Sequence, residues 1–393
     1  MAVFDVAAVR DQFPALAEGA AHFDGPGGSQ TPQVVADAVA AAMTGAIANR
    51  GRNTPAERRA DDIVVQARAA MGDLLGADPG GIVFGRSMTQ LTYDFARTLA
   101  KDWGPGDEIV VTRLDHDANI RPWVHAAEAV GATVRWLEFD PATTELYDVA
   151  DVLSERTRLV AVTGASNLVG TRPDIPAIAA RVHAAGALLY VDGVHLTAHA
   201  SVDVRAMGAD FFACSPYKFF GPHCGVVAAS PDLLASLRPD KLLPATDVVP
   251  ERFELGTLPY ELLAGTTAAV NFIAGLGTVV GDRRARILDS MATLEAYEHG
   301  LLTLLENGLD GLGVTRYNRA ADRTPTVLFS IEGRESADVA KALAERGVNA
   351  PAGSFYALEA SRHLGLGDTG AVRAGLAPYS DHTDVERLID GLR

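Results

Sequence analysis

The sequence predicts an α/β protein: a large domain on a mostly parallel, doubly wound, seven-stranded sheet, followed by a smaller C-terminal α+β domain. Three observations predict it. Apolar runs of strand length recur along residues 82–229, bounded by Gly, Pro and polar turns. Between most of them lie stretches with helical spacing, the alternation that builds parallel sheets. After Gly265 the pattern changes to long helices followed by a few short strands. The expected division is 17–265 for the large domain and 266–393, joined by 1–16, for the small one.

Taken in order, residues 4–16 have the spacing of a short amphipathic helix. His22 to Ser29 reads as a strand end running into a glycine-rich turn, which either lets the backbone approach a ligand or simply reverses the chain. Residues 32–48 and 56–75 are helical by alanine content and apolar spacing. Between them, 49–53 is a basic loop, on the surface or facing an anion. Residues 82–85 form a strand, and Arg86 to Thr89 leads into a helix over 90–100. A strand, a small polar turn and a helix N-terminus leave free N–H groups where the dipole also favours phosphate, although such a turn is more often only a cap. Strands follow at 108–112, 133–137, 158–163, 188–191, 210–214 and 225–229, with helices at 120–130 and 175–185. Thr89, His116, Asn167, Asp192 and Lys218 each lie just past a strand end. Doubly wound sheets bind ligands beyond the carboxyl ends of their strands, so the architecture brings these separated residues together. The C-terminal domain is expected to hold helices at 266–276, 287–309, 336–346 and 384–392 and strands at 326–331 and 372–376.

Composition narrows the function classes. Of 393 residues, 48% are hydrophobic and 21% charged, which excludes a disordered chain. The net charge of −16 makes nucleic acid and anionic membrane poor partners. Two cysteines, Cys214 and Cys224, argue against a disulfide framework and fit a reducing cytoplasm. The N-terminal stretch lacks the basic and apolar regions of a leader, and no apolar run reaches the ~20 residues of a membrane span.

Lys218 sits in a Pro- and Gly-rich turn between Tyr217 and Phe219, with no carboxylate beside it in sequence. Desolvation there disfavours the ammonium form, and a neutral amine attacks a carbonyl to give a Schiff base. A group with an aldehyde, a phosphate, a phenolic oxygen and a pyridine nitrogen suits the neighbouring candidates. Lys218 would hold the aldehyde, and Asp192 would keep the pyridine nitrogen protonated. Asn167 and His195 would donate to the phenolic oxygen, and His116 would stack on the ring and move protons. Met88, Thr89 and Ser215 would bind the phosphate. The group is pyridoxal 5'-phosphate. No metal is expected: His195 and His199 are four residues apart, but no glutamate follows the first histidine.

The motifs also carry a resemblance. HFDGPGGSQTP, DHDANIRPW around His116, SNLVGT at Asn167, VDGVH at Asp192, SPYKFFGP at Lys218, RFELGT at Thr257 and VRAGLAPYS at Arg373 occur in one order along nearly the whole chain. They resemble the class-V, cysteine desulfurase-like members of the fold-type-I pyridoxal phosphate enzymes. The resemblance implies that Lys218 carries the cofactor, Asp192 pairs with its nitrogen, His116 stacks on its ring and Arg373 grips a substrate carboxylate. It also implies a homodimer with shared active sites, in which Thr257 reaches the neighbouring subunit's phosphate. Three departures stand out. Tyr217 precedes the lysine where the family usually has histidine, and His195 stands where it often has glutamine. Residues 350–356, where persulfide-forming members carry a cysteine, have none. Cys214 and Cys224 lie in or beside apolar strands and read as small core residues. The expected chemistry is therefore β-elimination at a C–S bond of a small L-amino acid without a persulfide cysteine. A class-V aminotransferase is the alternative, and a non-catalytic pyridoxal phosphate-binding protein the second. Gly365 to Gly370 matches G-x-G-x-x-G, but it follows a helix-like stretch and precedes a strand, the reverse of a dinucleotide fingerprint.

Overall fold

Seven strands form the larger sheet of the computed structural model, which describes residues 4–393. Their spatial order is Ile82–Gly85, Gly225–Ala229, Phe211–Cys214, Leu188–Asp192, Thr157–Thr163, Glu108–Thr112 and Thr133–Leu137. Gly225–Ala229 runs antiparallel to both neighbours, and the remaining pairs are parallel. The mostly parallel sheet expected from the sequence is thus observed. Successive residues of a strand enter different cores: Ile82 and Phe84 join one cluster and Val83 the other, and Leu189 and Val191 divide likewise from Tyr190. Burial on both faces is why these strands read as unbroken apolar runs.

Helices cover both faces. Pro55–Leu75 begins with a reciprocal capping box between Thr54 and Glu57, has Pro55 in its first turn, and ends at Gly76 with φ +61°. The Thr54 cap is worth about 1 kcal/mol, and Gly76 takes the left-handed conformation that side chains resist. Among the described residues, no helix is long and apolar enough to cross a membrane.

A second, antiparallel sheet runs in the order Ala352–Gly353, Ala371–Gly375, Thr326–Ser330 and Thr315–Arg316. Val327, Phe329, Val372 and Ala374 bury its inner face against Leu302, Leu305 and Leu388. The 28-residue helix Arg283–Asp310 joins the two cores. Its first half puts Ile287, Met291 and Leu294 into the large core, and its second half puts Leu301, Leu302 and Leu305 into the small one.

Packing crosses the expected division in both directions. Ala21–His22 pairs in parallel with Val348–Asn349, and Phe23 is buried in the small core, although both fall within 17–265. Val9 and Phe13, expected with the small domain, join the large core instead. Pro14 starts a 3-10 turn just after the helix Val6–Arg10, so Phe13 turns inward. There it meets Phe220, Phe272 and Tyr379 at ring-centroid distances of 5.5, 5.6 and 4.9 Å. Residues 1–3 of the expected N-terminal unit lie outside the described residues.

Candidate active site

A cavity of about 700 Å³ opens at the carboxyl ends of the large sheet. It collects Met88, Thr89, His116, Asn167, Asp192, His195, Ser215, Lys218 and Arg373. Of the residues singled out from sequence, Thr257 is absent from this lining and lies exposed.

One end is built for an anion. The helix Met88–Leu99 is capped by Ser87, whose Oγ accepts from Gln90 N–H at 3.1 Å. The cap leaves the Met88 and Thr89 N–H groups to a ligand, at the positive end of the helix. Gly225 makes this turn fit: a Cβ there would stand 2.4 Å from Met88 N. Ser215 lies buried on the same cavity wall.

Lys218 follows the strand Phe211–Cys214 in a 3-10 turn. Its Nζ donates to the carbonyl of Pro26, which the glycine-rich loop brings over the sheet edge. Gly375 admits that loop, since a Cβ there would stand 2.2 Å from Pro26 Cγ. Burial, with the nearby Arg373 charge, lowers Lys218 to about 7. The Tyr217 ring centroid lies 4.9 Å from Nζ, and that ring stacks on His223 at 4.6 Å.

Asp192 ends its strand, is buried, and accepts one backbone bond, from Val194 N–H at 2.9 Å. Burial raises it to about 6, so it is mostly ionised at pH 7. Asp115, which sequence reasoning missed, is held by Thr112 Oγ1, by Asn119 Nδ2 at 2.7 Å and by Thr163 N–H at 3.0 Å. Burial first, and the neighbouring Asp192 charge as well, raise it to about 8.

His116 accepts from Ala118 N–H at Nδ1, 3.0 Å away. In the neutral ring the proton then lies on Nε2. Burial and the Lys218 and Arg373 charges lower His116 to about 4, so the ring is neutral at pH 7. His195 turns Nε2 toward Thr324 and Thr326, at 2.9 and 3.0 Å from their hydroxyls. That contact leaves only Nδ1 free to face a ligand. His199, expected as no metal ligand, contacts buried Glu298 through Nδ1 at 3.0 Å.

Arg373 comes from the second sheet, is buried, and donates from Nη1 to the carbonyl of Asn167 at 2.8 Å. Burial lowers it to about 9. The Asn167 amide donates to Phe355 O at 2.9 Å. Phe355 and Tyr356 also line the cavity. Nothing in composition or spacing marks them, nor Thr324 and Thr326, because their contacts are made across the whole chain. In the basic loop, Arg50 pairs with Asp61 at 2.8 Å and Glu251 at 3.0 Å, while Arg52 and Asn53 are exposed.

The residues fit pyridoxal phosphate. An amine with a lowered pKa, a carboxylate short of hydrogen-bond partners and an open helix N-terminus share one cavity, and two buried polar atoms, Asn167 Oδ1 and Arg373 Nε, have no partner. Such orphans are rare unless a ligand satisfies them.

Comparison with known proteins agrees. The sequence profile of the family described as Aminotransferase class-V matches residues 21–388. An uncharacterised protein of Mycobacterium tuberculosis, MT3887, is 35% identical over 99% of this chain and 98% of its own. The aminotransferase-like protein FGM3 of Gibberella zeae is 33% identical over 99% and 98%. The crystal structure of the Escherichia coli cysteine desulfurase CsdA superimposes with a TM-score of 0.86 at 28% identity, covering 99% of this chain and 98% of that one. The chain therefore belongs to the class-V aminotransferase family and is an enzyme of its cysteine desulfurase-like, pyridoxal phosphate-dependent kind.

Proposed function

We propose that the protein cleaves a carbon–sulfur bond, or a bond to a related leaving group at Cβ, in a small L-amino acid, by β-elimination and without an enzyme persulfide. One observation carries this reading: the cavity joins Lys218, Asp192, His116 and Arg373 and, among the described residues, is lined by no cysteine. Cys214 and Cys224 are buried. Burial pushes Cys214 well up and Cys224 up to about 11, so neither supplies a thiolate near pH 7.

When bound, pyridoxal phosphate supplies an electron sink for charge developing at the substrate Cα. Lys218 would hold it through Nζ. The Met88 and Thr89 N–H groups and the Ser215 hydroxyl would take the phosphate, and Asp192 would set its negative charge against the pyridine nitrogen. Asn167 and His195 would serve the phenolic oxygen, and His116 would stack on the ring. Arg373 binds the substrate carboxylate, whose two oxygens match its fork of N–H donors. Lys218 Nζ, whose ammonium form is disfavoured by burial and the nearby Arg373 charge, would take the α-proton. His116 is a donor from Nε2 rather than the base, because Nδ1 is already accepting. The Cβ–S bond then breaks with its electron pair on sulfur, which is protonated as it leaves. With L-cysteine and one water, the products are hydrogen sulfide, pyruvate and ammonia.

A homodimer completes this reading. Thr257 stands exposed, away from its own cavity, on a stretch that also exposes Leu242, Leu243, Val248 and Leu255. Arg68 anchors that stretch by gripping Glu254 with two bonds of 2.8 Å. Residues 17–265 would hold the cofactor and 266–393 would carry Arg373 to it. Sedimentation at micromolar concentration tests the dimer; a monomer that keeps its cofactor contradicts it.

The test of the chemistry is a reaction with L-cysteine or cystine. Elimination gives pyruvate and ammonia in equal amounts while the visible cofactor absorbance persists at steady state. If that absorbance is lost stoichiometrically and returns only with a 2-oxo acid, the protein is an aminotransferase. If no amino acid perturbs it, the protein binds the cofactor without catalysis.

A further inference from the structure

Phe355 and Tyr356 are consecutive non-glycine residues with φ of +52° and +60°. This backbone conformation is costly for bulky side chains and persists only where the surroundings hold it. Here both residues are held. Asn167 Nδ2 donates to Phe355 O at 2.9 Å, and Asp117 N–H donates to Tyr356 O at 2.7 Å. Both residues of the strained pair line the cavity, and each ring meets another residue of its lining. Tyr356 stacks on His116 at 5.5 Å, and the Phe355 ring centroid lies 3.7 Å from the Arg373 Cζ.

Arg373 needs such a support. It is buried and, among the described residues, has no carboxylate within salt-bridge distance and one hydrogen-bond acceptor, the Asn167 carbonyl at Nη1. Among the described residues its Nε, itself buried, has no partner. One hydrogen bond does not by itself fix the plane of a guanidinium, and a group already held in its bound orientation loses less affinity to ordering when the substrate arrives. An aromatic face attracts the guanidinium plane without using any of its N–H groups. Asn167 closes the arrangement: its carbonyl holds Arg373, and its amide holds the backbone of Phe355.

We infer that Phe355 is a positioning residue: by stacking on Arg373 it fixes the guanidinium plane so that N–H donors not used within the protein meet the substrate carboxylate. This rests on the proposed carboxylate role of Arg373. It predicts that discrimination between an amino acid and the amine lacking its carboxylate depends on the aromatic ring at position 355.

The experiment uses the holoenzyme and reads the cofactor absorbance on titration with L-alanine and, separately, with ethylamine. In Phe355→Leu the half-saturating L-alanine concentration rises about tenfold, while that of ethylamine changes less than about twofold. Phe355→Tyr, which keeps the ring, stays within about threefold of the wild type for both ligands. A general disturbance of the pocket would move both ligands together, and an equal shift for both in Phe355→Leu overturns the inference. So does an unchanged L-alanine value in Phe355→Leu when Arg373→Ala raises it. If Arg373→Ala itself leaves the preference for L-alanine over ethylamine intact, the carboxylate role of Arg373 is wrong, and the failure lies with that earlier reading.

Discussion

Two buried carboxylates sit at the same edge of the large sheet, and their surroundings differ. Asp115 has three donors and lies behind the cavity wall; Asp192 has one backbone donor and lines the cavity. Burial raises Asp115 to about 8 and Asp192 to about 6, and the Asp192 charge contributes to the rise at Asp115. At pH 7 the pair therefore carries its negative charge on Asp192, where a pyridine nitrogen would lie. The carboxyl satisfied within the protein organises strand ends, and the one left short of partners is available to a ligand.

Exchanging each carboxylate for its amide breaks or sharpens this comparison. Asp192→Asn removes the charge that would face the cofactor nitrogen, and kcat/KM should fall on the order of 10²–10³-fold. Asp115→Asn keeps the shape and most of the hydrogen bonds, and its loss should stay under about tenfold. Equal losses in steady-state assays would erase the distinction.

The second contrast is in stability. The folded-state value of Asp115 lies above its ordinary 3.8, so between about pH 4 and about pH 8 the folded state binds more protons than the unfolded state. Its contribution is present below that window and is lost as pH rises through it. The wild type should lose up to about 1.4 kcal/mol per pH unit from this group, and Asp115→Asn should not. Thermal melts from about pH 5 to about pH 8 should show the variant gaining steadily on the wild type; parallel curves would mean that Asp115 is ionised in the fold.

The smallest effect concerns the thiols. Cys214→Ala and Cys224→Ala should each change kcat/KM for L-cysteine by less than about threefold, since neither sulfur reaches the cavity. Loss of sulfide release in either variant would return a persulfide to the mechanism.

The large sheet was legible because most of its strands are buried on both faces and read as apolar runs, and several are followed by a chemically distinctive residue. The antiparallel course of Gly225–Ala229 was not, since an apolar run carries no direction. The N-terminal assignment went astray because Ala21–His22 finds its partner at Val348–Asn349, a contact no local pattern announces. Of the candidate site, residues just past strand ends were found, and Asp115, Phe355, Tyr356, Thr324 and Thr326 were not. Their importance comes from what the fold sets against them: Arg373 against Phe355, and His195 against two threonine hydroxyls.

The central claim is that Lys218, with its ammonium form disfavoured by burial, is the residue that holds the cofactor carbonyl. Borohydride reduction of the holoenzyme fixes that linkage covalently, and peptide mapping then locates it. The account predicts the label on the peptide containing Lys218 and its loss in Lys218→Ala. A label on Lys101 or Lys241, or undiminished labelling of the variant, would contradict it.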